Sequence, residues 1–341
     1  MAEKRITLEE LKPGDIVLFT PPPGKGSWES WLICFFTKSP VSHTGMVDTN
    51  PGYVLQEVPP HATRLPIPEA DTRYLYVRRL EGEPDTSVVR DIAQHYVDTE
   101  LPYPMSNLAF LGIYILASDF MPDTKTGKLM EMVLKIGSFA IMELINKHFH
   151  PGTEVPPMVC SQFAAACYDE AFMKYGPQYK INYNEKVSSI SSLLHKMIDQ
   201  VAEEEKEKLY EIQTEEASIL DGAKIGIEMA DLYCEQLAKS IQEQQSSNAL
   251  QSSGKISDSL IAAFYQYGKG VLKLLGSKTE YPDKKQATAE EIKSLLQELL
   301  NVQDAFVSPG DLLSNSINLM DMGILRYTED DRDKYVDPKD R

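Results

Sequence analysis

The sequence predicts an α+β protein: a small antiparallel sheet near the start, a nucleophile-type helix after a proline break, and a large helical remainder. Three observations predict it. Short β-branched runs between turn signals fill the first eighty residues. Apolar residues recur at helical spacing from Asp85 onward. Beyond Gly176 the composition becomes charged and amphipathic. A chain of 341 residues with 42% apolar side chains can bury one large core or two ordinary ones.

Each element has its own signal. "DIVLFT" (Asp15–Thr20) follows a Pro-Gly turn and is the first strand. "HTGMVD" (His43–Asp48) and "YVLQEV" (Tyr53–Val58), joined through "NPG", form a hairpin, and "YLYVRRL" (Tyr74–Leu80) is a fourth strand. Between the first two strands, "SWESWLICFFTK" has the spacing of a short helix, with Ser27 as N-cap and Cys34 on its apolar face. "DTSVVRDIAQHYVDTEL" opens the helical region on an Asp/Thr cap, and apolar helices follow at about 106–118 and 126–148. "HPGTEVPPM" breaks the chain before the helix that carries Cys160 and Cys167. "LLHKMIDQVAEEEKEKLYEIQTEEA" reads as one charged amphipathic helix, and "QEQQSSNALQSSGK" (Gln242–Lys255) as a polar linker. Two more helices centre on "SLIAAFYQYGKGVLKLL" and "TAEEIKSLLQELL", the second with Thr288 and Glu291 at capping-box spacing. The charged end "TEDDRDKYVDPKDR" is expected to be a disordered tail.

Charge narrows the partners. With 34 basic and 51 acidic residues the net charge is -17, which repels phosphate backbones and anionic membranes, so nucleic acid is not an expected partner. Four scattered cysteines, with no C-x-x-C and no neighbouring histidine, give neither a disulfide framework nor metal spacing. The N-terminus lacks an apolar signal-peptide core, and the longest apolar run, Leu108–Ala117, falls well short of the ~20 residues a membrane span needs. The expectation is a protein made in the cytoplasm without a transmembrane segment, exported by a dedicated route if it acts outside.

A thiol site needs a cysteine at a helix start, an imidazole to take its proton and a polar group to orient that imidazole. Cys160 follows "VPPM", where prolines permit a helix to begin, whereas Cys167 lies two turns deeper among alanines. Position assigns Cys160 to chemistry and Cys167 to packing. Of six histidines, His95, His148 and His195 fall in or at the ends of helices, and His61 and His150 lie beside prolines. Only His43 opens a strand. Closing the hairpin through a loop from Asp48 to Gly52 brings Glu57 opposite His43; a one-residue slip brings Gln56 instead. Spacing alone fits equally a buried cysteine, a strand histidine and a solvated glutamate.

The run "LKPGDIVLF … KSPVSHTGMV … YVLQEV … VCSQFAAACY" resembles the permuted NlpC/P60 superfamily of papain-like cysteine hydrolases. It is most similar to the YiiX/YebB-like branch, related to the lecithin retinol acyltransferase group. The resemblance implies a papain-like domain with Cys160 as nucleophile, His43 as base and Glu57 as third polar residue, and with the Cys160 N–H in the oxyanion hole. It implies no metal and no organic cofactor. "FVSPGDLLSN" resembles the segment that closes this fold. The resemblance covers about residues 8–103, 156–178 and 305–327, and the rest departs from it, so the expected organisation is a catalytic domain at 1–178 with a helical excursion at 105–151, a helical insertion at 179–304, a closing segment at 305–327 and the tail at 328–341. The acyltransferase cousins carry a second histidine where this chain has Leu55 or Glu57, which favours a hydrolase acting on a peptide or a peptidoglycan fragment. The alternatives are a lipid acyl hydrolase or acyltransferase, and a non-catalytic interaction protein whose insertion binds a protein partner.

Overall fold

A computed structural model describes residues 4–22, 28–58, 61–68, 73–101, 108–148, 160–184, 192–212, 229–246, 255–275, 277, 279, 281 and 284–340. The strands are β1 (Arg5–Ile6), β2 (Ile16–Phe19), β3 (His43–Val47), β4 (Tyr53–Val58), β5 (His61–Pro66), β6 (Leu75–Leu80), β7 (Leu209–Glu211), β8 (Gln286–Thr288) and β9 (Leu319–Leu325). The helices are α1 (Trp28–Thr37), α2 (Ser87–Asp98), α3 (Leu108–Ala117), α4 (Thr124–His148), α5 (Cys160–Tyr175), α6 (Leu193–Ala202), α7 (Ala230–Ser246), α8 (Asp258–Leu274), α9 (Ala289–Ala305) and α10 (Glu329–Asp333). The protein is α+β. Ser27, offered as a cap for α1, lies outside the described residues.

Seven strands form one sheet in the order β1-β9-β6-β2-β3-β4-β5, antiparallel except for the β1–β9 pair. The central strands are buried on both faces, which is why they read as continuous apolar runs. One face carries Ile16, Leu18, Met46 and Leu55, packed under α2 and α5 through Ile92, Phe163, Ala164 and Cys167. The other face carries Val17, Phe19, Val47, Val54, Leu75 and Val77.

The Pro-Gly-Asp turn before β2 anchors the sheet to α5. Gly14 has a φ of +87°, and a Cβ there would meet the Thr86 carbonyl at 2.7 Å, so only glycine fits. Its own carbonyl accepts a hydrogen bond from the Tyr168 hydroxyl at 2.9 Å. Asp15, 1% exposed, takes two bonds of 2.7 Å from the Arg79 guanidinium and one of 2.8 Å from the Lys12 N–H.

Helices α1, α3, α4 and α6–α9 form a second core. Leu32 and Phe36 of α1, Leu111 and Ile115 of α3, Leu134 and Ile141 of α4, Met197 of α6, Leu237 of α7, Phe264 and Val271 of α8 and Leu295 of α9 share it. Helix α8 runs through its middle, with every residue from Leu260 to Leu272 buried. Glycines set the close approaches: a Cβ on Gly268 would lie 2.5 Å from Leu299, and one on Gly112 would lie 2.5 Å from Tyr267. The boundary expected at residue 178 therefore does not divide two cores. The excursion (α3, α4) and the insertion (α6–α9) bury their apolar faces against each other and against α1.

Three further expectations change. The charged run after Leu193 is not one helix: α6 ends at Ala202, and Leu209–Glu211 instead pairs with Gln286–Thr288 as a two-stranded ribbon that buries Tyr210. Of the polar linker at 242–255, residues 242–246 continue α7, and 247–254 lie outside the described residues. The tail is ordered through residue 340. Thr328 caps α10 with Asp331, Val336 is 2% exposed, and the Tyr53 hydroxyl donates to Asp340 at 2.8 Å. Its few apolar residues suffice because the sheet face beneath is already apolar. Among the described residues, no helix is long and apolar enough to cross a membrane.

Candidate active site

Cys160 is the first residue of α5, and residues 151–159 before it lie outside the described residues. At a helix start the backbone N–H groups have no carbonyl to bond, so they are free for the sulfur. Its own N–H and that of Ser161 favour the thiolate, and so does the N–H of Thr44 on β3. The sheet explains that third donor. Asp48 N donates to Tyr53 O at 3.0 Å, so the even-numbered N–H groups of β3 point at β4. The β3–β4 ladder nevertheless ends at Met46–Leu55, which releases the Thr44 N–H toward the α5 start. Burial outweighs these donors and the thiol is pushed up to about 12, with only 4% of Cys160 exposed. The adjoining Ser161 hydroxyl donates to Val307 O at 2.8 Å, tying the helix start to the segment after α9.

His43 pairs with Phe19 across β2–β3, and the two rings lie 5.3 Å apart. Its Nε2 lies 2.7 Å from Gln56 Oε1. With that oxygen as acceptor, Nε2 carries the proton and Nδ1 keeps its lone pair. Gly45 lies beneath the pair: a Cβ there would sit 3.3 Å from Phe19 and 3.5 Å from the Gln56 Cβ, so glycine leaves the ring its place. Burial, only partly offset by Gln56 and reinforced by Arg73, lowers the imidazole to about 4.

The partner expected for His43 was Glu57, and the strand register corrects this. Met46 pairs with Leu55, so Gln56 shares the face of His43 while Glu57 turns to the opposite face with Thr44. Glu57 is fully buried, and among the described residues neither carboxyl oxygen has a hydrogen-bond partner. Burial raises it to about 9. Its charge would oppose ionisation of both Cys160 and Cys167, which puts it beneath the first turns of α5. The buried hydroxyls of Ser42 and Thr44 on the same face are also without partners among the described residues.

Cys160 and His43 thus approach the sheet from its two faces, Cys160 beside the Thr44 N–H and His43 beside Gln56. Among the described residues no hydrogen bond joins thiol and imidazole; catalytic bonds of this kind often tighten only around substrate. The other candidates go elsewhere. Cys167 and Cys234 are core residues, and the Cys34 thiol, raised by burial to about 12, lies on α1. His195 pairs with Ser192 at 2.7 Å, and His61 bonds Ala62 O at 2.9 Å. Among the described residues no group of three His, Cys, Asp or Glu side chains could hold a metal ion.

Sequence reasoning missed two neighbours. Tyr114 of α3, buried against Phe306 at 5.4 Å, reaches the Ser161 hydroxyl and feels the charge of Cys160. Arg73 stacks over Phe19 at 4.8 Å. Neither belongs to a motif; only the fold brings them to the site. Compared with models of known protein families and with curated proteins, the chain matches none.

Proposed function

We propose that the chain is a papain-like cysteine hydrolase of the permuted NlpC/P60 type, cleaving a peptide-like or peptidoglycan-derived amide through a thioester. Cys160 is the nucleophile, His43 the base and Gln56 the group that orients the imidazole. The observation that carries the reading is the opening between β3 and β4. There, the Thr44 N–H joins those of Cys160 and Ser161 in favouring the thiolate at a helix start, and on the other face of β3 a histidine is held by Nε2 with Nδ1 left to accept a proton.

The resting pair is neutral, because burial raises the thiol and lowers the imidazole. Proton transfer therefore accompanies attack. As sulfur bonds to the carbonyl carbon, Nδ1 takes the thiol proton and backbone N–H groups at the helix start receive the developing oxyanion. The imidazolium then protonates the departing amine, and water, deprotonated by Nδ1, hydrolyses the thioester. Glu57 faces away from the imidazole and is no part of this relay.

The apolar helices that would suit a lipid-facing groove bury Leu111, Ile115, Leu134 and Ile141 in the helical core, so packing accounts for them. Incubation with muropeptides and, separately, with phospholipid vesicles, followed by mass spectrometry, tests the reading. Amide products and an acyl adduct on Cys160, both lost in Cys160→Ala, support it. Fatty acid release without amide cleavage would overturn it, as would turnover that survives the substitution.

A further inference from the structure

We propose that Arg73 is an anion subsite, binding a carboxylate of the substrate on the His43 side of the scissile bond. The proposal rests on the hydrolase reading above and narrows its substrate class to amides that carry a carboxylate near the cleaved bond.

The argument begins with charge. In a chain of net charge -17, buried and half-buried guanidiniums are normally claimed by carboxylates. Arg79 is held by Asp15, Arg64 and Arg90 by Asp48, and Arg78 by Asp321. Arg73 is half-buried yet, among the described residues, has neither an ion pair nor a hydrogen bond; it lies over the face of Phe19 and within electrostatic reach of Tyr327. Stacking uses the flat face of a guanidinium and leaves its N–H edge free, and that edge matches a carboxylate.

Strand register sets where the edge points. Phe19 pairs with Leu75 on one side and with His43 on the other, and Thr20 N donates to Tyr74 O at 3.1 Å. Arg73, two residues before Leu75, therefore falls on the face that carries Phe19, His43 and Gln56. Arg73, Phe19 and His43 form a short run of contacts, the cation over the ring and the ring tilted 44° against the imidazole. Arg73 already acts on His43, disfavouring its protonation. A carboxylate bound to Arg73 cancels that repulsion when the imidazole must accept the thiol proton. Substrate binding thus both positions the carbonyl and makes the base stronger.

Two alkylating agents of nearly equal size separate charge from reactivity: iodoacetate carries a carboxylate and iodoacetamide does not. The readout is the ratio of their rates at Cys160, measured by peptide mapping of the full chain, which cancels differences in thiolate fraction. The wild type should favour iodoacetate by at least about fivefold over Arg73→Gln, with Arg73→Lys between, and added salt should erode the preference. Equal ratios in wild type and Arg73→Gln would overturn the subsite. Amide turnover unchanged in Cys160→Ala or in His43→Ala would instead overturn the hydrolase reading itself.

Discussion

Glu57→Gln should stabilise the protein in a pH-dependent way, and the size of the effect follows from burial. The folded state holds this carboxyl at about 9, whereas an unfolded chain releases its proton near 4.5. Between those values the native state binds one more proton than the unfolded state, so stability falls as pH rises. Below 4.5 the group costs nothing by this route, and the loss is complete only above 9. Each pH unit in the window is worth ~1.4 kcal/mol, so moving from pH 5 to pH 8 should cost the wild type up to about 4 kcal/mol. Glutamine has nearly the same shape and no proton to lose. Its own unpaired amide adds an offset that does not change with pH, so the informative quantity is the difference between the two pH values. Urea unfolding of both proteins at pH 5 and pH 8 gives it directly, and even half the expected difference exceeds the extrapolation error. If the stability gap between Glu57→Gln and wild type is the same at both pH values, the carboxyl is not buried neutral and its place under α5 is wrong.

Removing the imidazole's partner should matter more than removing Glu57: Gln56→Leu should lower kcat/KM for amide cleavage by about 10- to 100-fold, with Gln56→Glu restoring part of it. An effect smaller than that of Glu57→Gln would reverse the assignment. With His43 lowered to about 4 and the Cys160 thiol raised to about 12, kcat/KM should climb through pH 4 and stay level to pH 9; a limb near 6.5 would mean that the imidazole is exposed. Gly268→Ala, whose Cβ would meet Leu299 and Leu295 at 2.5 and 2.6 Å, should destabilise the fold by ~1–3 kcal/mol in urea titration. Joining residue 178 to 305 should give insoluble or molten protein, because α1, α3 and α4 would lose the core they share with α8; a cooperative unfolding transition in that shortened chain would contradict the single helical core.

The sequence by itself determined the elements that local chemistry specifies. Runs of β-branched residues between Pro-Gly and Asn-Pro-Gly turns placed β2, β3 and β4 nearly to the residue, and the prolines before Cys160 placed a thiol at or near the first turn of a helix, of which it is the first residue. Thr288 with Glu291 marked the start of α9, and the capping bonds are there, with Thr288 N donating to Glu291 at 2.8 Å. Strand β5 was missed because "HATRLP" is weakly apolar and pairs only as an edge strand on β4. The tail was misread because order there comes from the sheet face it covers, not from its own composition.

Tertiary structure decided everything that depends on relative position. A hairpin sequence allows two registers that differ by one residue, and the choice between them selects Gln56 over Glu57 as the partner of His43. The end of the β3–β4 ladder, which frees the Thr44 N–H for Cys160, is a consequence of how two strands diverge and has no residue signature. Nor does a lone Arg73 or Tyr114 announce itself, since each reaches the site from a separate part of the chain. Apolar periodicity marked α3, α4 and α8 as buried but not against what. That the excursion and the insertion fill one another's core follows from glycine-sized gaps matched across helices hundreds of atoms apart in the chain, and folding alone brings those gaps together.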